Sequence, residues 1–96
     1  MVIKEEILEI LKNFLDPELG IDIYTLGLVY GVAFDEKQQE LKLTITFTTP
    51  LCPYGPQMIG ELKSRFRAIG LDKVTIEVVF VPPWKPSDEV RAMLGV

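Results

Sequence analysis

The sequence predicts an α+β domain, a two-layer sandwich in which helices pack on a small mixed or antiparallel sheet. Apolar residues recur every three or four positions in residues 3–15 and 58–69, as in amphipathic helices. They alternate with polar residues in residues 41–47 and 74–80, as in strands. With a further strand before residue 41, the order is α-β-β-α-β-α, typical of helices on one sheet. A length of 96 residues suits a single domain, 1–96.

The first helix has charged residues between the positions of its apolar face. Pro17 forbids its continuation, because the proline ring lacks an N–H donor and forces Asp16 out of helical geometry. Residues 16–22 then form a loop with three carboxylates and no basic residue. The apolar face of the helix comprises Ile3, Ile7, Leu8, Leu11 and either Phe14 or Leu15.

A β-hairpin is predicted next. Residues 28–34 are rich in β-branched and aromatic types, and residues 35–39 form a polar connection to an alternating segment. Residues 48–57 contain three prolines and form a constrained loop that leads into the second helix. The alternation places Leu41, Leu43, Ile45 and Phe47 on the buried face of the hairpin, and Lys42, Thr44 and Thr46 on the other face.

The C-terminal third of the chain contains the end of the second helix, a third strand and a short last helix. Gly70 ends the second helix. In the strand at 74–80, Val79 and Val81 add apolar surface to the second face, so we expect both faces to be covered. Ser87 is a suitable N-cap for the last helix, since its side chain can accept a free backbone N–H.

The absence of histidine and the single cysteine exclude several classes of function. A Ser/His or Cys/His catalytic pair, a His-ligated zinc site and a disulfide scaffold are ruled out. Ten basic and 14 acidic side chains give a charge of −4, which argues against nucleic acid as a partner. No apolar stretch approaches the roughly 18 residues of a membrane span, and the N-terminus lacks a signal pattern. We therefore expect a cytoplasmic protein that binds neither nucleic acid nor membranes.

Cys52 is the first candidate functional residue. It lies in the proline-rich loop before the second helix, and Pro53 suits the first helical position. Cys52 would then lie at or beside the N-cap, where free amides and the helix dipole lower the pKa of a thiol and favour the thiolate. The alternative is a small buried apolar residue. Thr48 and Thr49 either direct hydroxyls at the same place or end a strand.

The acidic loop and Trp84 are two further candidates. Clustered carboxylates without bases favour a cation or a basic partner surface, although the spacing is unlike that of a calcium loop. The alternative is a turn in which Asp16 caps the backbone and Gly20 supplies a positive φ. Trp84 lies among prolines and either displays its indole to a partner or folds back on the edge of the core.

Four short motifs follow one another along essentially the whole chain. They are Asp16-Pro17-Glu18-Leu19-Gly20, then Asp22 with Leu26-Gly27-Leu28-Val29-Tyr30, then Thr48-Thr49-Pro50 with Leu51-Cys52-Pro53, then Pro82-Pro83-Trp84. With these motifs in this order, the chain resembles the SufT/PaaD-like iron–sulfur cluster assembly family. The resemblance implies the iron–sulfur cluster assembly domain fold and a role in cluster biogenesis or delivery. Unlike NifU-type scaffold domains, the chain has no Cys-x-x-Cys pair.

The resemblance also implies functional residues. The functional cysteine of the family falls on Cys52, which we expect to be a transient ligand of the cluster. The family's pocket positions fall on Asp16, Glu18, Thr48 and Thr49. Partner contacts at Asp22 and Trp84 are expected from the residues themselves, namely the acidic loop and the indole among prolines.

Taken with the resemblance, the sequence predicts an iron–sulfur cluster assembly or delivery factor that is not an enzyme, since no general base for a thiol nucleophile is visible. An Fe–S cluster usually takes about four protein donors, so one thiolate fits a transient cluster or iron shared between chains. The expected partners are other assembly proteins, client apoproteins and a second copy of the chain in a homodimer. The alternative is a non-catalytic adaptor with a structural Cys52; a thiol-dependent enzyme is a third option.

Overall fold

Six elements follow one another in the order that the sequence predicts, α-β-β-α-β-α. The computed structural model describes residues 1–17, 19–48 and 55–95. Within these residues, no helix is long and apolar enough to span a membrane. The elements are α1 (Lys4–Lys12), β1 (Val29–Asp35), β2 (Glu40–Ile45), α2 (Gly55–Ala68), β3 (Lys73–Val78) and α3 (Asp88–Leu94).

Strand β2 is the centre of a three-stranded mixed sheet with the order β1-β2-β3. It pairs antiparallel with β1 through the predicted hairpin and parallel with β3, which the chain reaches by way of α2. The side chains of Leu41, Leu43 and Ile45 are buried on one face, because alternate residues of a strand point the same way. Lys42 lies on the opposite, exposed face.

The helices bury that apolar face of the sheet. In α2, Met58, Leu62 and Phe66 are buried at the spacing of one helical face, whereas Ile69, expected on the same face, lies beyond the end of the helix and is 36% exposed. Together with the sheet they form one core, which comprises Val2, Ile7, Leu11, Phe14, Ile23, Leu26, Leu28, Leu41, Leu43, Ile45, Met58, Leu62, Phe66, Leu71 and Val90.

Helix α1 ends at Lys12, well before Pro17, with Asn13 as its C-cap. Phe14 is 2% exposed, whereas Leu15 is 58% exposed, so Phe14 is the residue that completes the apolar face. The chain beyond the helix is extended here: the N–H of Ile23 donates to the carbonyl of Phe14 at 2.9 Å. Leu15 pairs with Asp22 in an isolated β-bridge, which turns its side chain outward.

The prediction that both faces of the third strand are covered is wrong. Lys73, Thr75 and Glu77 form an exposed face, and the strand ends at Val78. Val81, which was expected to add to the second face, is 83% exposed beyond the end of the strand. The apolar run of residues 78–81 therefore does not continue the alternation, since the strand ends at its first residue, Val78.

The last helix begins as predicted at the N-cap Ser87. The hydroxyl oxygen of Ser87 accepts the N–H of Val90 at 3.2 Å. Asp88 and Glu89 occupy the first turn, where the positive end of the helix dipole stabilises their carboxylates. Gly95 ends the helix with φ of 75°, a left-handed conformation in which glycine has no steric penalty.

Candidate functional site

The two ends of the proline-rich loop lie against each other. A Cβ atom built on Gly55, the first residue of α2, would come within 2.9 Å of Cε2 of Phe47, which follows β2. A side chain larger than that of glycine would force the half-buried Phe47 ring to shift. Residues 49–54 between these anchors lie outside the described residues. The predictions for Cys52, Thr49 and Pro53, including the lowered pKa of the thiol at a helix start, therefore stay predictions.

The hydroxyl of Thr46 is buried at the entrance to this loop. Thr46 is 1% exposed, and its Oγ1 has no hydrogen-bond partner among the described residues. The prediction that Thr46 shares the exposed face of β2 with Lys42 is wrong. The strand ends at Ile45, and the N–H of Thr46 instead donates to the carbonyl of Leu28 at 2.8 Å.

Thr46 was missed as a candidate because alternation alone assigned it to solvent. Its position offered one signal: it is the first polar residue after the last core position of the strand, Ile45, and it precedes the predicted functional loop. Thr48, which was predicted as a pocket residue, is half-buried two positions further on. The end of β2 thus holds two hydroxyl groups close to the segment that carries Cys52.

Asp16 is buried in the acidic loop and organises a turn. Its Oδ1 accepts the N–H of Leu19 at 3.0 Å, and its carbonyl accepts the N–H of Gly20 at 2.9 Å. Gly20 has φ of 68°, as the turn interpretation predicts. Because Asp16 is only 3% exposed, its carboxylate is a fixed polar group inside the domain.

Asp22, at the other end of this loop, is half-buried and caps a second turn. Its Oδ2 accepts the N–H of Thr25 at 2.8 Å. The predicted role of Asp22 in partner binding stays a prediction. Glu18, the third predicted carboxylate, lies outside the described residues.

The acidic loop and the start of α2 border the same cavity. This cavity of about 160 Å³ lies between the chain after α1 and the first turns of α2. The structure thus places the chain around the predicted pocket residue Asp16 beside the helix that follows the Cys52 loop. Its lining residues are Phe14, Leu15, Pro17, Gln57, Met58 and Glu61.

Trp84 folds back on the domain. Its Nε1–H donates to the carbonyl of Leu26 at 2.7 Å, and the half-buried ring packs against the core. This is the second of the two alternatives that the sequence left open for the indole. Partner binding through the surface that stays exposed remains a prediction.

Metal ligands are sparse in the described part of the chain. Among residues 1–17, 19–48 and 55–95, no group of three or more Asp, Glu, Cys or His residues is placed to hold a metal ion. The two described carboxylates of the acidic loop each accept a backbone N–H from their own turn. The donor suited to a soft metal is the single cysteine, Cys52, which is outside the described residues.

Fold and site together define a class of protein: a small α+β domain with a buried carboxylate in its acidic loop, whose only cysteine falls in the sequence between the central strand and the following helix. The chain belongs to the iron–sulfur cluster assembly protein family, whose model matches residues 4–78. This confirms the resemblance found in the sequence motifs.

Named relatives cover almost the whole chain. It is 38% identical to the Fe-S protein maturation auxiliary factor YitW of Bacillus subtilis, over 98% of this chain and 95% of the relative. It is 41% identical to the Fe-S protein maturation auxiliary factor SufT of Staphylococcus aureus, over 85% and 97%. A domain of unknown function from Bacillus anthracis has the same fold, with a TM-score of 0.83, 32% identity and coverage of 97% and 92%.

Proposed function

We propose that this protein is an iron–sulfur protein maturation factor that holds iron or a cluster briefly, through the Cys52 thiolate, and passes it to client apoproteins. The observation that carries the proposal is the meeting of Phe47 and Gly55, which anchors both ends of the Cys52 segment on the core. Relatives that match over the full length and are named as maturation factors support it. The proposed place of action is the cytoplasm.

The cluster in this proposal is cargo. One chain offers one thiolate, whereas a stored cluster takes about four protein donors. A second chain or a client must therefore supply the remaining ligands. Transfer is then an exchange of thiolate ligands: a client cysteine binds the cargo in place of Cys52, the client thiol gives up its proton, and the departing Cys52 thiolate accepts one. In this proposal the protein is a carrier and not an enzyme.

The residues around the loop have distinct tasks in this proposal. The buried carboxylate of Asp16 fixes the chain beside α2, and the hydroxyls of Thr46 and Thr48 lie at the end of β2. A hydroxyl that lacks a partner among the described residues is a donor that can bond a thiolate or a sulfide of the cargo. Removal of Thr46 Oγ1 should therefore weaken cargo binding without weakening the fold.

Anaerobic reconstitution with iron and sulfide tests the proposal. The wild-type protein should acquire a labile, sub-stoichiometric chromophore that it passes to an apoprotein, and Cys52→Ala should lose both properties. Ser64→Ala, on the exposed side of α2, is the matched control and should behave as wild type. A stable chromophore on the Cys52→Ala variant would contradict the role of the thiolate.

A second candidate function is an adaptor that recruits assembly proteins or clients without holding the cargo. Val81 and Phe80 favour it, because they are 83% and 41% exposed and form an apolar surface beyond β3. Pull-down from the native host, with wild type and Cys52→Ala, separates the two functions. An adaptor keeps its partners in the variant, whereas a cargo carrier loses those bound through the shared metal.

A further inference from the structure

Strand β3 has a free edge. In the described sheet, β3 pairs with β2 on one side and with no strand on the other. The N–H of Val79 donates to the carbonyl of Ile45 at 2.9 Å, and alternate residues of a strand direct their backbone groups to opposite sides. Lys73, Thr75 and Glu77 therefore direct N–H and C=O groups at β2. The backbone groups of residues 74, 76 and 78 face outward.

This edge lacks the irregularity that protects the opposite edge of the sheet. In β1 the register shifts between Val29 and Gly31, a bulge that disturbs regular pairing. In β3 the register with β2 is continuous from Lys73 to Val78. A regular strand with outward N–H and C=O groups is a template for another strand.

The side chains of β3 are complementary to a second copy of the same strand. If two copies pair antiparallel with Thr75 opposite Thr75, then Lys73 of each copy lies opposite Glu77 of the other. The same register places Val74 opposite Ile76 on the apolar face. A shift that centres the pair on Ile76 loses this charge match, because Glu77 then faces Thr75.

The backbone pattern is compatible with this register, and the charge match is what distinguishes it from a pair centred on Ile76. In an antiparallel pair, residues that exchange both hydrogen bonds alternate with residues that exchange none. When the pair is centred on Thr75, the outward N–H and C=O groups of Val74 in each copy face those of Ile76 in the other. The two pairs form about four hydrogen bonds in total. The N–H of Val74, which bonds to the carbonyl of Asp72 at 3.1 Å, exchanges that local bond for the new one.

We propose that the free edge of β3 is a self-association surface, on which a second copy of the chain adds its own β3 antiparallel, with Thr75 on the two-fold axis. The two sheets then join into one sheet of six strands, with the helices of both copies on the same side. The interface is one strand wide and is therefore weak and reversible. It stands independently of the proposed function.

The intrachain ion pairs of β3 do not prevent this contact. Lys73 lies 3.9 Å from Glu40, and Glu77 lies 3.7 Å from Lys42, with all four side chains more than half exposed. Exposed pairs of this kind are held weakly, so the Lys73 and Glu77 side chains are free to turn toward the partner.

Sedimentation equilibrium with charge-swap variants tests the proposal. The wild type should dimerise reversibly at concentrations up to about 1 mM. Lys73→Glu and Glu77→Lys should each weaken association by about tenfold, because like charges then oppose each other twice per dimer. The double variant should restore it. Glu40→Gln is the matched control, since it breaks the intrachain pair of Lys73 but leaves the charges of the interface unchanged.

Disulfide trapping tests the register. In a Cys52→Ser background, Thr75→Cys should form a covalent dimer with the oxidant diamide, because the two Thr75 positions face each other. Glu77→Cys faces Lys73 and should remain monomeric. The proposal would be overturned if the wild type stayed monomeric at all concentrations or if the single charge variants dimerised as well as wild type. It would also be overturned if a folded double variant failed to regain association, or if both cysteine positions were trapped equally.

Discussion

The indole N–H of Trp84 donates to the carbonyl of Leu26 at 2.7 Å, across 58 positions of the chain. Leu26 is a core residue in the turn before β1, so this bond fastens the chain after β3 to the opposite edge of the sheet. The hydroxyl of Tyr30 makes a parallel contact, since it donates to the carbonyl of Pro82 at 2.7 Å. These two bonds hold residues 82–84, which precede α3, against the β1 side of the domain.

Replacement of Trp84 by phenylalanine should lower the free energy of unfolding by about 1–2 kcal/mol, because the Leu26 carbonyl loses its donor. Tyr30→Phe is the matched control. Its hydroxyl bond is exposed, so its loss should cost about 0.5 kcal/mol. Urea unfolding followed by circular dichroism measures both. A smaller loss for Trp84→Phe than for Tyr30→Phe would show that the indole bond does not fasten this segment.

An alanine at Gly55 should destabilise the domain by about 1–3 kcal/mol, because its Cβ would overlap the Phe47 ring at 2.9 Å. Gly60 lies in the same helix, and a Cβ added there would meet no atom within 4 Å, so Gly60→Ala should stabilise the domain by about 0.5–1 kcal/mol. Thermal unfolding of the two variants should shift in opposite directions. Equal shifts would refute the close approach of Phe47 to α2.

Replacement of Thr46 by valine should raise the free energy of unfolding by about 1 kcal/mol, because it removes a buried hydroxyl that lacks a partner among the described residues. Thr44→Val, in the same strand but half-buried, is the control and should change stability by less than about 0.5 kcal/mol. Denaturant titration decides the point. A marked loss of stability in Thr46→Val would mean that the hydroxyl has a structural partner.

The thiol of Cys52 should react with iodoacetamide well below a pH of about 8.5 in the folded protein, because the N-terminus of a helix stabilises the thiolate. The same thiol in urea is its own control and should titrate near a pH of about 8.5. Labelling rates measured against pH by mass spectrometry give both curves. Coincident curves, or a folded protein that does not react, would favour the adaptor with a structural cysteine.

Local chemistry predicted much of the fold. Ser87 caps α3 as expected, since its hydroxyl oxygen accepts a backbone N–H of the first turn that has no partner within the helix. Pro17 correctly excluded helix at Asp16, and the period of two located β2. In each case, neighbours within a few positions in the chain determine the outcome.

Properties set by distant residues could not be predicted in this way. An alternating segment does not specify its neighbours, so the parallel pairing of β2 with β3 was left open. Alternation also assigned Thr46 to solvent, whereas the strand ends at Ile45 and Thr46 is buried just beyond it. Trp84 fitted two interpretations until the position of Leu26 was known, because 58 residues separate them.

The parallel pairing of β2 and β3 has a consequence for synthesis of the chain. The β1–β2 hairpin is local and can form while the remainder is still being made, but β3 joins only after α2 has been completed. Until then the cysteine-bearing segment is tied to the growing domain at one end. The sheet is thus complete only after residues 73–78 have been synthesised, and until then the central strand has one of its two edges uncovered.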